Sequence, residues 1–201
     1  MYIICCDLEG VLVPEVWINV ARWTGIDELK LTTRDISDYN ALMVRRLEIL
    51  KQHGITIKDI QKVISLLELM PGALDFVNWL HGRAQIVVVS DTFREFADPL
   101  LEKIGWPVLF CHHLTIDKDG IITDFNLRQP DAKKKVVEAM QHLNFKVIAI
   151  GDSYNDVSML RQAEYGILYQ PPQNVINDHN DLKVVTSYSQ LKHFISDVLE
   201  Q

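Results

Sequence analysis

The sequence has few cysteines and no excess of basic residues. Three of its 201 residues are cysteines, and their number and spacing do not fit a disulfide framework. We therefore expect Cys5, Cys6 and Cys111 to be reduced core residues. Acidic residues outnumber basic ones by 27 to 20, which gives a formal net charge of -7. This balance argues against a nucleic-acid partner, because such binding depends on clustered lysine and arginine side chains.

Long apolar runs are also missing. No run reaches the roughly 18 apolar residues that a membrane-spanning helix needs. The first run, Tyr2 to Cys6, is too short for the core of a signal peptide and follows no basic region. Hydrophobic residues make up 48% of the chain and charged residues 23%, a composition typical of globular proteins. We expect a cytoplasmic protein without a membrane partner.

Several motifs that would assign a function are absent. There is no Gly-x-x-x-x-Gly-Lys-Ser/Thr segment and no glycine-rich dinucleotide fingerprint, which excludes nucleotide sites of those two kinds. No histidine pair has the His-x-x-x-His spacing of a helical zinc site. We therefore expect surface or core roles for the seven histidines: His53, His81, His112, His113, His142, His179 and His193.

Short apolar runs alternate with helical patterns along the chain. The runs typical of buried strands are Tyr2 to Cys6, Gln85 to Val89, Pro107 to Cys111, Lys146 to Ile150, Tyr165 to Tyr169 and, more weakly, Leu182 to Val185. Several lack the period-two alternation of a half-exposed strand, which favours a sheet covered on both faces. The sequence therefore predicts an α/β fold with a doubly wound, Rossmann-like parallel sheet. Its ligand site should lie outside the carboxyl ends of the strands.

Two stretches interrupt this rhythm. Residues 15–70 contain helical patterns but no clear strand, and the pair Pro71-Gly72 marks their end. We interpret them as a small helical domain inserted into a main domain made of residues 1–14 and 71–201. In the second stretch, Leu114 to Phe125, Asp119-Gly120 lies between two β-prone runs and predicts a hairpin.

Acidic residues follow two of the predicted strands. Asp7 and Glu9 come after the first strand, and Asp152 and Asp156 come after the fourth. If those strands are neighbours in a parallel sheet, the loops converge, and the clustered carboxylates would repel one another unless a hard cation lies among them. Mg²⁺ is the expected cofactor, because it prefers oxygen ligands and commonly binds phosphate together with carboxylates.

Each acidic motif alone could have a structural role, as a turn or as a helix cap. Their joint occurrence at the ends of separate strands favours a site instead. Two further residues fit phosphoryl transfer, which needs charge neutralisation around the transferred group. Ser90, at the end of the second predicted strand, could offer a hydroxyl, and Lys133, at the start of a predicted helix, could supply a cation. An aspartate nucleophile matches this set of residues.

In this order, Asp-x-Glu-Gly, Ser-Asp-Thr, Lys and Gly-Asp-x-x-x-Asp resemble the four motifs of the haloacid-dehalogenase superfamily. The helical insertion after the first motif resembles its C1 cap. Together they look like the phosphoserine phosphatase branch. The runs 7–15, 90–93 and 151–156 are similar to members that are both phosphoserine phosphatases and homoserine phosphotransferases.

This resemblance implies a role for each motif residue. Asp7 would attack phosphorus and form an aspartyl phosphate, with its carboxylate, Asp152 and the backbone carbonyl of Glu9 around Mg²⁺. The Glu9 side chain would act as general acid and then as general base. Lys133 and Ser90 would hold the phosphate. The resemblance also gives Asp156 a supporting role, orienting the metal shell or the lysine.

The resemblance further implies that the substrate is phosphoserine. Glu15 would bind its amino group, and Arg46 would form a bidentate pair with its carboxylate. The remaining candidates for substrate binding lie within the matching runs: Asp91, Thr92 and Asn155.

The sequence departs from the common phosphatase pattern at two places. Glu9 stands where most members carry Asp, and the extra methylene moves the acid/base group enough to affect water activation. Homoserine could then compete with water as the phosphoryl acceptor. Ser90-Asp91-Thr92 replaces the Ser-Gly-Gly of many relatives. Two other functions stay open: a phosphatase of the same fold that acts on a sugar phosphate or nucleotide, and a non-catalytic relative that binds a phosphorylated metabolite.

Overall fold

The computed structural model describes residues 1–32, 35–36 and 38–200. Within these residues, seven strands form one sheet in the order β4-β3-β2-β1-β5-β6-β7. The strands span Tyr2–Cys6 (β1), Gln85–Phe93 (β2), Val108–Ile116 (β3), Ile122–Asn126 (β4), Lys146–Gly151 (β5), Tyr165–Tyr169 (β6) and Lys183–Val185 (β7). All neighbouring pairs are parallel except β3 and β4, which form an antiparallel hairpin.

Both faces of the central strands are buried. Along β1, Ile3 and Cys5 pack in one hydrophobic cluster, whereas Ile4 and Cys6 pack in another. Successive side chains of a strand point to opposite faces, so each face of β1 contacts its own layer of helices. This arrangement explains the missing period-two alternation and confirms the predicted doubly wound α/β fold.

The helices of the main domain lie between successive strands, except the last, which follows β7. They span Ala73–His81 (α4), Arg94–Lys103 (α5), Ala132–His142 (α6), Val157–Gln162 (α7), Gln173–Asp178 (α8) and Tyr188–Leu199 (α9). Buried residues of α4, α5 and α9 join the cluster of Ile4, whereas those of α6, α7 and α8 join the cluster of Ile3. The two groups of helices therefore cover opposite faces of the sheet.

Between β1 and α4 the described residues are helical. This segment contains α1 (Val16–Thr24), a 3₁₀ turn (Asp27–Lys30), α2 (Tyr39–Gln52) and α3 (Ile57–Ser65). Helix α3 begins with a capping box in which Thr56 and Asp59 exchange hydrogen bonds with each other's backbone N–H groups. The helical content agrees with the predicted insertion, and the boundaries 15–70 stay a prediction.

The second and third strands are longer than the sequence indicated. Strand β2 continues through Ser90, Asp91 and Thr92 to Phe93, which pairs with His112 after an irregularity in the register. Apolar runs underestimate such strands, because polar residues at a strand end can keep pairing while their side chains face a cavity. The predicted hairpin is confirmed, with Gly120 in its turn at a φ of 83°.

The three cysteines are buried and free, as expected for reduced core residues. Among the described residues, no helix is long and apolar enough to cross a bilayer.

Candidate active site

The loops after β1 and β5 meet at the carboxyl edge of the sheet. Cys6 pairs with Ile150 in the parallel ladder, and the backbone N–H of Asp7 donates to the Ile150 carbonyl over 2.9 Å. In the sheet order, β1 lies between β2 and β5, where the direction of strand succession reverses. This reversal is the switch point at which doubly wound folds bind ligands.

Gly10 permits the close approach of the two loops. Its φ is 78°, in the left-handed region that favours glycine. A Cβ at this position would lie 2.5 Å from both Cγ and Oδ2 of Asp152. The turn and the neighbouring carboxyl group therefore both require a residue without a side chain.

Three carboxyl groups converge at this edge. Oxygen atoms of Asp7, Asp152 and Asp156 all lie within 4.8 Å of one another. Asp7 and Asp156 are buried, with 3% and 0% of their surface exposed. Clustered carboxylate oxygens of this kind suit a hard divalent cation such as Mg²⁺, so the residues present fit the predicted metal.

The cluster is electrostatically costly without a cation. Burial, followed by repulsion from Asp156, raises the pKa of Asp7 well above its ordinary value. Burial and Asp156 also raise the pKa of Asp152 to about 7. A positive charge near these carboxyl groups favours their ionised forms.

Lys133 provides one fixed positive charge next to the cluster. Its Nζ lies 2.7 Å from Asp156 Oδ1, 3.1 Å from Asp7 Oδ2 and 3.6 Å from Asp91 Oδ2. Burial opposes the charge, but Asp156 and Asp7 outweigh it and raise the pKa of Lys133 well above its ordinary value. Lys133 is 2% exposed, so it does not belong to a solvated helix face.

Asp156 holds both the lysine and the second loop. Its Oδ1 accepts from Lys133, and its Oδ2 accepts from the backbone N–H groups of Asp152 and Ser153. A Cβ at Gly151 would lie 2.3 Å from Asp156 Cγ, so the end of β5 also needs a glycine. Asp156 thus fixes Lys133 relative to Asp152.

The Glu9 side chain is not part of the acidic cluster, although Glu9 follows Asp7 by only two residues and side chains two apart on an extended chain point the same way. Its Oε2 accepts from the backbone N–H of Val16, the first residue of α1, over 2.8 Å. The chain after Asp7 turns instead of extending, because Leu12 N donates to Leu8 O. The alternation that applies to extended chains therefore does not hold here, and Glu9 satisfies a free N–H at the start of a helix.

The carboxyl end of β2 supplies the opposite wall. Ser90 and Thr92 are buried, and the Thr92 N–H donates to Ser90 Oγ over 3.2 Å. Thr92 also hydrogen-bonds the side chain of Glu9. Asp91 Oδ2 accepts from Asn155 Nδ2 over 2.8 Å. The Ser-Asp-Thr motif therefore contacts both the first and the last acidic motif.

Arg46 reaches the same cavity from α2. It is 6% exposed, its Cζ lies 4.4 Å from the Trp17 ring centroid, and its Nη2 donates to the Leu31 carbonyl over 2.7 Å. Burial lowers the pKa of Arg46 to about 10. Its buried Nε has no hydrogen-bond partner within the described parts of the chain. A buried arginine with a free donor is suited to binding an anionic group.

Glu15 lies beside Glu9 at the rim of this cavity. The two side chains are hydrogen-bonded, and burial of the carboxyl group together with the Glu9 charge raises the pKa of Glu15 to about 7. Burial also raises the pKa of Glu9, against hydrogen bonds from Val16 and Thr92. A carboxyl group whose pKa lies near 7, as that of Glu15 does, can give up or accept a proton near neutral pH.

These side chains surround one cavity of about 320 Å³. Its lining includes nearly all the residues predicted for the site: Asp7, Glu9, Glu15, Arg46, Ser90, Asp91, Thr92, Lys133, Asp152 and Asn155. Asp156 is buried behind it and contacts Lys133. The structure therefore brings the predicted set together around one space of metabolite size. The individual roles stay predictions.

Three residues next to the site were not predicted as site residues. Trp17 stacks on Arg46, the Tyr39 hydroxyl donates to the Asp91 carbonyl over 3.1 Å, and His112 Nε2 lies 3.5 Å from Asp91 Oδ1. Tyr39 and Trp17 belong to helical apolar patterns, which do not distinguish a core residue from a cavity residue. His112 had been assigned to the surface or core, and no sequence signal separates it from His113.

The fold and the site together define a class of enzyme. An aspartate that can act as a nucleophile, a buried lysine and an acidic cluster lie at the switch point of a doubly wound sheet, as phosphoryl transfer through an aspartyl phosphate requires. The family model of haloacid dehalogenase-like hydrolases matches residues 3–164. The chain belongs to this family of hydrolases, as the resemblance in its motifs predicted.

Named relatives cover almost the whole chain. The chain is 51% identical over 192 residues to phosphoserine phosphatase ThrH of Pseudomonas aeruginosa, covering 96% of this chain and 94% of the relative. It is 49% identical over 190 residues to a phosphoserine phosphatase of Pseudomonas syringae pv. tomato, covering 94% and 80%. A solved phospho-aspartyl intermediate analogue of phosphoserine phosphatase superposes with a TM-score of 0.79 at 20% identity, covering 96% of this chain and 98% of that one. The structural likeness supports the fold.

Proposed function

We propose that the protein is a Mg²⁺-dependent phosphoserine phosphatase that works through an aspartyl phosphate on Asp7. One observation carries the proposal: a nucleophile, an acidic cluster, a buried lysine and a buried arginine line the same small cavity. The phosphoserine phosphatases among its relatives, at 51% and 49% identity, support this substrate.

The two ends of the cavity match the two ends of phosphoserine. Asp7, Ser90 and Lys133 would surround the phosphoryl group, whereas Arg46 and Glu15 would bind the carboxylate and the amino group. The unpartnered Nε of Arg46 supports this assignment, because a substrate carboxylate would accept from it. The helical residues 15–70 would act as the cap that places these two groups over the core.

The metal would be held by Asp7 and Asp152, with the Glu9 carbonyl as the third predicted protein ligand and Asp156 behind them. When bound, Mg²⁺ supplies positive charge that neutralises the phosphoryl oxygens and the clustered carboxylates. Lys133, whose Nζ lies 3.1 Å from Asp7 Oδ2, adds a second positive charge next to the nucleophile. The substrate phosphate and the carboxylates can then share a small space.

The reaction would proceed in two steps on this chain's own residues. An Asp7 oxygen forms a bond to phosphorus while the bond from phosphorus to the serine oxygen breaks, and Glu9 gives that oxygen its proton. Glu9, now ionised, then takes a proton from the acceptor, whose oxygen attacks phosphorus and frees Asp7. The raised pKa values of Glu9 and Glu15 support an acid/base role for this pair.

We also propose that homoserine competes with water in the second step. Glu9 is anchored to the Val16 N–H and to Thr92, so its longer side chain is fixed away from the acidic cluster. An amino alcohol bound by Arg46 and Glu15 would present its hydroxyl to a carboxyl group in this position.

The test is an assay of the purified protein with phosphoserine and Mg²⁺, with and without homoserine, in which serine, free phosphate and phosphohomoserine are measured. Asp7→Asn should lower turnover by at least about a thousandfold, as loss of a nucleophile does. Asp75→Asn, which changes an exposed aspartate on α4, is the matched control. Chelation of the metal should stop the reaction, and added Mg²⁺ should restore it.

The products distinguish the alternatives. Phosphohomoserine with an equal fall in free phosphate would establish transfer, whereas unchanged phosphate release would leave a phosphatase alone. Hydrolysis of sugar phosphates or nucleotides without hydrolysis of phosphoserine would overturn the substrate assignment. No turnover of any ester would leave a non-catalytic binding protein.

A further inference from the structure

Asp91 is the meeting point of three side-chain donors. Its Oδ2 accepts from Asn155 Nδ2 over 2.8 Å and lies 3.6 Å from Lys133 Nζ, while its Oδ1 lies 3.5 Å from His112 Nε2. Lys133 lies on α6, Asn155 lies in the chain after β5, and His112 lies on β3. Asp91 itself is on β2. One carboxylate thus joins three other parts of the fold at the edge of the site.

The hydrogen-bond roles of His112 are fixed by its surroundings. The ring is buried, with 3% of the residue exposed, and lies 6.3 Å from the Phe93 ring centroid. The backbone N–H of Arg128 donates to His112 Nδ1 over 3.1 Å. Since Nδ1 is an acceptor, the ring carries its hydrogen on Nε2, which faces Asp91. His112 therefore acts as a donor to this carboxylate.

Asp91 lines two neighbouring cavities. One is the catalytic cavity, and the other has a volume of about 690 Å³. The residues that line both are Tyr39, Asp91, Lys133 and Asn155. Because the Asp91 side chain is 31% exposed, its direction depends on hydrogen bonds and charge more than on packing.

The position of Asp91 affects the lysine directly. Lys133 has three N–H donors and three carboxylate neighbours, Asp156, Asp7 and Asp91. If Asp91 turned away, the ammonium group would be held from the side of Asp156 and Asp7 alone. Asn155 Nδ2 would then lose its acceptor. The amide would keep the hydrogen bond that its Oδ1 accepts from Ser153 Oγ over 2.5 Å.

We propose that His112 is a positioning residue for phosphoryl transfer, which fixes Asp91 so that Asp91 in turn sets the direction of the Lys133 ammonium group and the Asn155 amide. The inference rests on the proposed function only in that the reaction is phosphoryl transfer. It does not depend on phosphoserine as the substrate.

The first test compares two substitutions at one position. His112→Phe keeps an aromatic ring at this position but removes both nitrogen atoms. It should lower kcat by about tenfold, as loss of a side chain that orients an active-site group commonly does. KM should change little, because the cap residues that bind the rest of the substrate are untouched. His112→Gln retains an N–H donor for Asp91 and should recover much of kcat. His113→Phe, at the exposed neighbouring position, should match the wild type.

The second test exchanges a carboxylate and an amide. In Asp91→Asn an added N–H group faces His112 or Asn155, which are both donors, and in Asn155→Asp two carboxylates face each other. Either change should lower kcat by about tenfold or more. The double variant restores a complementary pair between these two positions with the same net charge but does not restore the carboxylate next to Lys133, so its kcat should recover only partly from that of the worse single variant.

Three readouts separate this inference from the proposed function. Turnover is measured on phosphoserine and on p-nitrophenyl phosphate, and the affinity for beryllium fluoride, a stand-in for the phosphoryl group on aspartate, is measured by ¹⁹F NMR. If the wild type hydrolyses p-nitrophenyl phosphate but not phosphoserine, the substrate assignment is overturned and the role of His112 is not. Equal kcat in His112→Phe and His113→Phe, or no gain from His112→Gln, would overturn the role of His112, whereas a double variant no better than its worse single variant would overturn the role of the hydrogen bond between Asp91 and Asn155. Should His112→Phe fail to fold, His112→Gln is compared with the near-isosteric His112→Met, which lacks the N–H donor.

Discussion

At the scale of single residues, the site depends on how each buried charge is stabilised by its neighbours. Lys133 is held by Asp156 and Asp7, whereas Arg46 lies between the Trp17 ring and the Leu31 carbonyl. A buried charge is costly unless it is paired and hydrogen-bonded. Lys133 has this pairing within the chain, whereas the Nε of Arg46 has no hydrogen-bond partner among the residues that the structure describes. An anionic group of a bound ligand would therefore pair with the Arg46 guanidinium.

Arg46→Lys should raise KM for phosphoserine by about tenfold or more, since a lysine cannot reproduce the flat, two-pronged donor that matches a carboxylate. The kcat for p-nitrophenyl phosphate, which has no carboxylate, should stay near the wild-type value. Steady-state kinetics on both esters check the prediction.

Arg45→Lys is the matched control, because Arg45 is the exposed neighbour on the same helix. Equal KM values for the two variants would show that Arg46 does not bind the substrate carboxylate.

At the scale of elements, the inserted helices are attached to the main domain mainly through α3. The Ile57 N–H donates to the Gly120 carbonyl in the β3–β4 turn, and Gln61 Nε2 donates to the Glu95 carbonyl of α5. Lys103 Nζ donates to the carbonyl of Ser65, the last residue of α3, and to the carbonyl of Leu67, two residues further along the chain. Helix α3 is therefore held at both ends, to the β3–β4 turn and to α5.

Lys103→Met should weaken this attachment. It removes the two hydrogen bonds that a charged donor makes to carbonyl groups at and just after the end of α3, at a cost of about 1 kcal/mol in the free energy of unfolding. The chain near residues 65–70 should also become more sensitive to proteolysis. Urea unfolding and limited proteolysis measure the two effects.

Lys62→Met, at an exposed position on α3 itself, serves as the comparison. If both variants unfold at the same urea concentration and are cleaved at the same rate, Lys103 does not hold the cap.

At the scale of the whole molecule, the acidic cluster would couple binding of the proposed cation to stability. Asp7, Asp152 and Asp156 come from the ends of β1 and β5 and from the chain that follows, and they approach one another only in the folded state. A cation that binds the folded form and not the unfolded form stabilises the protein by mass action. The site therefore links the function of the protein to the stability of its central strands.

Added Mg²⁺ should raise the melting temperature of the wild type. At a concentration about a hundredfold above Kd the expected gain is about 2.7 kcal/mol, and each 1 kcal/mol corresponds to about 2–4 °C for a chain of this size. Asp152→Asn should abolish the gain. In metal-free buffer the same variant should be at least as stable as the wild type, because one of three repelling carboxylates is gone.

Differential scanning calorimetry with MgCl₂, and with NaCl at equal ionic strength, checks this expectation. An equal rise in both salts, or an unchanged response in Asp152→Asn, would rule out a specific metal site at the cluster.

The sequence by itself determined the fold class and most of the cavity lining. Its apolar runs gave the strands, because a sheet covered on both faces needs side chains that are apolar on both sides. Its acidic motifs gave the site, because the ends of neighbouring parallel strands lie at one edge of the sheet. These features depend on local pattern and on topology, which short stretches of sequence carry.

The tertiary structure decided which side chains act together. The Glu9 side chain turned towards Val16 because the chain bends after Asp7, and the three-carboxyl cluster includes Asp156, which had been expected to play a supporting part. His112 came to lie beside Asp91 because β2 and β3 pair beyond their apolar runs. Such contacts join residues far apart in the chain, and their directions follow from packing and hydrogen bonding, which no local pattern of residues specifies.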